Sequence, residues 1–152
     1  MNVIDCGTRW FVFVGTLGLV LASSHVVSAQ TQEVRLATGA DLSPDGATLA
    51  FGWRGDLWTV SSGGGTAKRF TNHDARDRNP RFSPDGNEIA FVSEREGAPQ
   101  VFVAPRKGGA AKQLTFHTSG CDLEGWFPDG QSLLIQGQRD HYWRHAELSL
   151  IH

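Results

Sequence analysis

Asp45, Asp85 and Asp129 each follow a proline and precede a glycine, and a carboxylate repeated in one setting raises the question of paired acid–base chemistry. Such chemistry needs two carboxyl groups within reach of one bond. Pro44, Pro84 and Pro128 are 40 and 44 residues apart, so these carboxylates belong to successive copies of one unit and are held apart by it. Their expected work is to accept hydrogen bonds from turn amides. His73 and His117 each stand two residues after a threonine, Thr71 or Thr115. Equivalent placement in successive units again argues for a turn contact and against a shared metal. His141 and His145 have the spacing of zinc ligands on one helical face, but the glutamate of that motif is missing and the surrounding pattern is strand. Cys121 has no base assigned beside it and reads as a structural thiol. No Gly-Xaa-Ser-Xaa-Gly elbow occurs. No catalytic residue, metal or cofactor is expected.

What positions these residues is the repeat. The turns Ser43-Pro44-Asp45-Gly46, Ser83-Pro84-Asp85-Gly86 and Phe127-Pro128-Asp129-Gly130 punctuate it. Proline presets φ, aspartate accepts a local hydrogen bond and glycine supplies a positive φ, which together make a hairpin turn. A short strand precedes each turn, ending at Leu42, Phe82 and Trp126. The strand that follows carries Leu49 and Phe51, Ile89 and Phe91, or Leu133 and Ile135, two apart and so on one face. Ala50 and Ala90 lie on the other face, where small side chains let a neighbouring sheet approach. A third strand holds Trp58 or Phe102, and a polar fourth strand holds Lys68-Arg69 or Lys112, charges that suit an edge. The four extra residues of the second unit fall in Glu94 to Pro99, a surface hairpin. The fold class that follows is all-β: a partial, open β-propeller of two to three four-stranded blades, at about 40–72, 79–116 and, incompletely, 123–152. Trp53, Trp58 and Trp126 are expected in packing roles.

Residues 1–29 differ in kind. The apolar run Trp10 to Ala22 has signal-peptide length and is short of a bilayer span, and Val27-Ser28-Ala29 places small residues before a cleavage at Gln30. A helical export signal is expected, with mature residues 30–152 periplasmic or extracellular and no membrane span remaining. Cleavage would remove Cys6 and leave Cys121 without an intrachain disulfide partner. A formal net charge of −2 and a pI near 6.3 supply no polybasic surface, so no nucleic-acid role is expected. The charged link Asp74, Arg76, Asp77, Arg78, Asn79 joins one blade to the next, and such loops are where a peptide or protein ligand would be met.

The runs Phe51-Gly52-Trp53-Arg54-Gly55-Asp56-Leu57-Trp58, Phe82-Ser83-Pro84-Asp85-Gly86 with Ile89-Ala90-Phe91, and Gly125-Trp126-Phe127-Pro128-Asp129-Gly130 resemble the amino-terminal propeller of tricorn-type proteases. The same repeat occurs in TolB, the periplasmic propeller of the Tol system. The resemblance covers about residues 34 to 143. It implies a non-catalytic segment that binds or guides peptides, with further blades and a peptidase portion expected downstream of a truncated chain. A TolB-like scaffold contacting envelope lipoproteins is the alternative it implies. Unclosed blades would also leave strand edges bare and favour self-association.

Overall fold

The chain divides into Met1–Gln32 and Glu33–His152. The computed structural model describes residues 35, 37–137 and, as backbone, 147–151. The export segment, His141 and His145 lie outside the described residues.

Each described unit is an antiparallel meander. The first sheet has the order β1 (Thr38–Leu42), β2 (Thr48–Trp53), β3 (Asp56–Ser61), β4 (Lys68–Arg69). The second repeats it with β5 (Asp77–Phe82), β6 (Glu88–Ser93), β7 (Gln100–Pro105) and β8 (Lys112–Gln113). The third contains β9 (Cys121–Trp126), β10 (Leu133–Gly137) and β11 (Glu147–Ile151). Among the described residues there is no helix. The sheets begin at 38, 77 and 121, two residues ahead of each blade start read from the sequence.

The Pro-Asp-Gly turns close by one scheme with a permuted hydroxyl. The Gly46 amide donates to the Ser43 carbonyl at 2.8 Å and the Ala47 amide to Asp45 Oδ1 at 3.0 Å, while Ser43 Oγ donates to Asp45 and accepts from the Thr48 amide. Ser83 and Asp85 repeat every one of these contacts. In the third turn Phe127 replaces the serine, and Ser132 Oγ donates to Asp129 Oδ2 at 2.9 Å instead. Gly46, Gly86 and Gly130 have φ of 68°, 71° and 67°, which costs an ordinary side chain strain.

The blades stack face to face. Ala50 packs with Phe82 and Ile89, and Ala90 with Leu133 and Ile135, so the small face of one blade receives the large face of the next, as the alternation predicts. Leu57, Phe91 and Phe102 fill the rest of the first junction, each buried group contributing about 1.5–3 kcal/mol. Inner strands adjoin: Asp41 Oδ2 accepts from the Phe82 amide at 2.7 Å, and Trp126 Nε1 donates to the Arg81 carbonyl at 3.0 Å. A bulge in β1 and β5, with Gly39 and Asn79 at φ 57° and 55°, lets the buried Pro80 sit within a strand.

Candidate functional site

Antiparallel order sends all turns of one kind to one end of the stack. The Pro-Asp-Gly end is cross-braced by Arg106, which donates to Asp45 at 2.9 Å and to Thr48 at 2.7 Å across the first junction. At the opposite end, each inter-blade connector docks on the hairpin of the blade it leaves. The Asp77 amide donates to the Gly55 carbonyl at 2.7 Å, and the Cys121 amide to the Pro99 carbonyl at 2.7 Å. The Glu94 amide adds a bond to the Arg76 carbonyl at 3.1 Å. This second end gathers the candidate residues.

Of the connector residues expected to face a ligand, two are placed otherwise by the structure. Asp74 and Arg76 are exposed, as a ligand-facing loop requires. Asp77 is not: it opens β5 and its side chain is fully buried. Arg95 reaches back from the Glu94–Pro99 hairpin to contact both Asp77 oxygens at 3.2 Å, donates to Ser93 Oγ at 2.8 Å, and lies 4.6 Å above the Phe102 ring. A carboxylate so deep stays there because a guanidinium meets it in two places. Arg78 is also strand, half-buried, and bidentate to Asp122 of the third blade. Arg78 therefore bridges the second junction and Asp77 pins the hairpin of its own blade, which leaves Asp74 and Arg76 as the exposed charges of this connector.

Two threonines do work that sequence reasoning passed over. Thr71 Oγ1 accepts from the Leu57 amide at 2.9 Å and Thr115 Oγ1 from the Val101 amide at 2.8 Å, tying each connector to the third strand of its blade. Their recurrence at equivalent places was the available signal. In the second blade Gln100 completes the clamp: its Oε1 accepts from the Thr115 hydroxyl at 2.7 Å and the His117 amide at 3.1 Å, and its Nε2 donates to the His117 carbonyl. Asp56 stands where Gln100 would be, pairs with Arg69 at 2.7 Å, and leaves Oδ1 buried with no protein partner. The histidines follow suit: His73 Nδ1 accepts from the Ala75 amide at 3.0 Å, whereas His117 serves through its backbone.

The remaining candidates are placed structurally. Trp53 and Trp58 meet edge to face with centroids 5.3 Å apart. Cys121 is buried, and burial pushes its thiol pKa up, the opposite of what a nucleophile needs. Among the described residues no three metal-ligating side chains gather. This end presents clamped backbone, the exposed charges of Asp74 and Arg76 and the exposed phenyl ring of Phe116.

Meanders of this form, stacked small face on large face with their connectors at one end, define a β-propeller. The tricorn protease N-terminal beta propeller domain matches residues 34–152, and the chain belongs to that family. Tricorn protease homolog 1 of Streptomyces coelicolor is 41% identical over 93 residues, covering 60% of this chain and 9% of that protein. TolB from Acinetobacter baumannii superposes with a TM-score of 0.61 at 24% identity over 74% of this chain and 29% of its own. The tricorn protease gives 0.58 at 25% identity over 68% of this chain and 11% of its own. The chain thus spans a small part of the proteins it is similar to, and the part matched is propeller.

Proposed function

We propose that this chain is a non-catalytic, exported propeller segment that binds or guides peptide or protein segments at its connector end, in support of a tricorn-like peptidase. The observation that carries the reading is the contrast between the two ends. At the Pro-Asp-Gly end the turn aspartates, though exposed, are engaged by their own turns and, through Arg106, across the junction. The connector end holds its backbone by buried groups and leaves Asp74, Arg76 and Phe116 outward. Rigid backbone with free side chains is the arrangement that recognition favours. Further blades and peptidase segments are the partners the family supplies.

Titration of the chain with fluorescein-labelled casein peptides tests this reading. Saturable binding weakened severalfold by a combined Asp74→Ala and Arg76→Ala change, with no peptide cleaved, is expected. Hydrolysis that a single serine or histidine substitution abolishes would replace the reading with an enzymatic one. A TolB-like scaffold is the second reading, and the propeller match to TolB structures is what favours it. Capture of an envelope lipoprotein in place of free peptides would select it.

A further inference from the structure

Equivalent positions of the three blades are buried unequally, and the differences fall on the two outer faces of the stack. Phe82 and Ile89 are buried because they lie against Ala50 of the first blade. Trp126 and Leu133 lie in the same way against Ala90. Leu42 and Leu49 hold the corresponding places in the first blade, paired in the same strand register. Yet Leu42 is 51% exposed and Leu49 half-buried. Trp58 and Val60 on that face are half-buried too, where their counterparts Phe102 and Ala104 are covered. The first blade therefore presents to the surface the side that, in the other two blades, is seated on a neighbour. The third blade presents the opposite side: Leu134 stands where the others have Ala50 and Ala90, and it is half-buried where those alanines are closed off.

The sizes on these two faces are matched to each other. Within the chain a ring, Phe82 or Trp126, meets an alanine. At the outer faces the ring is reduced to Leu42 and the alanine is enlarged to Leu134. Close packing makes combined volume the quantity a junction must keep, and two leucines fill about the space of tryptophan and alanine. A sheet offering alanine would leave a gap beneath Leu42, so the seat that fits is the one this chain carries. Closed propellers take about four to eight blades, and the outer faces of three stacked blades do not reach each other. A second copy brings them together at two places. We propose that two copies associate head to tail in a closed ring, Leu42 and Leu49 of each seated on the Leu134 face of the other. The association is independent of the peptide-binding reading.

Sedimentation equilibrium of the 152-residue chain tests it, with circular dichroism as the check on folding. The expected mass is twice the 16.6 kDa of one chain. Leu42→Glu, at an exposed position, should leave the dichroism spectrum unchanged and return the mass to one chain. Size matching is read from a pair of changes. Leu42→Phe should weaken association roughly tenfold by overfilling the Leu134 seat, and Leu42→Phe with Leu134→Ala, which recreates the Phe82 and Ala50 pairing, should restore it. A parent protein with the mass of one chain at every concentration overturns the proposal. So does a dimer that survives Leu42→Glu, or a double variant that associates no more tightly than Leu42→Phe alone. A mass that keeps growing with concentration marks head-to-tail contacts that fail to close, and overturns the ring.

Discussion

Replacing Asp56 by glutamine should stabilise the protein, although it removes a charge from an ion pair. Asp56 Oδ1 is buried without a protein donor, and an unsatisfied buried acceptor costs about 1–3 kcal/mol. Its pair with Arg69 is part-exposed, the arginine side chain being 44% accessible, so losing it costs about 0.2–1 kcal/mol. The longer amide should reproduce the Gln100 arrangement, taking the Thr71 hydroxyl and the His73 amide as Gln100 takes those of Thr115 and His117. The net is about 1 kcal/mol in favour of Asp56→Gln, a rise of about 4 °C in melting temperature for a unit of this size. Thermal unfolding by circular dichroism measures it, with Gln100→Asp as the converse, expected to lower the midpoint. An Asp56→Gln protein that melts at or below the parent, together with a neutral Gln100→Asp, would show that the clamp has no energetic weight.

Three further outcomes follow from the same contacts. Hydrogen bonds from Ser43 and the Ala47 amide, then Arg106, hold the Asp45 carboxyl well below the usual range, and Ser83 and Asn87 do the same for Asp85. Their contribution is complete above the ordinary carboxylate pKa of about 3.9 and is lost as pH falls through the lower folded values, so carboxyl 13C titrations should give midpoints under 3.9 and a midpoint at or above it would contradict the turn chemistry. Asp77→Ala leaves Arg95 part-buried without its partner and should cost about 3 kcal/mol in urea unfolding, while Asp77→Leu with Arg95→Met should recover most of that. Gly120→Ala should lower the melting temperature several degrees more than Gly46→Ala. Both sites have positive φ, but a Cβ at 120 falls 2.8 Å from Pro99 Cδ whereas nothing lies within 4 Å at 46.

The fold was legible because its rules are local. Each Pro-Asp-Gly turn announces itself, and the Ala50 and Ala90 alternation states which face a neighbouring blade must meet. The candidate site was legible only in part, because burial is not written in polarity. Asp77 and Arg78 look like their neighbours Asp74 and Arg76 in sequence, and what separates them is a partner far along the chain, Arg95 for one and Asp122 for the other. Thr71 and Thr115 were visible as repeats, but their hydroxyls act on Leu57 and Val101, fourteen positions back. Gln100 and Asp56 gave no local cue, since their work depends on a connector that only the folded sheet brings within reach.

Repetition also separates what the fold requires from what it leaves free. Positions that differ between blades while both blades keep the same backbone answer to something other than folding. Turn aspartates and connector threonines are identical across the first two units, as stacking identical meanders requires. Asn72 and Phe116 are not, and neither are the two-residue hairpin at Arg54-Gly55 and the six-residue Glu94 to Pro99. Both divergences lie at the connector end, and both in the second blade are anchored by buried polar groups, Gln100 for one and the Asp77–Arg95 pair for the other. Buried polar groups thus hold irregular backbone in place at that end.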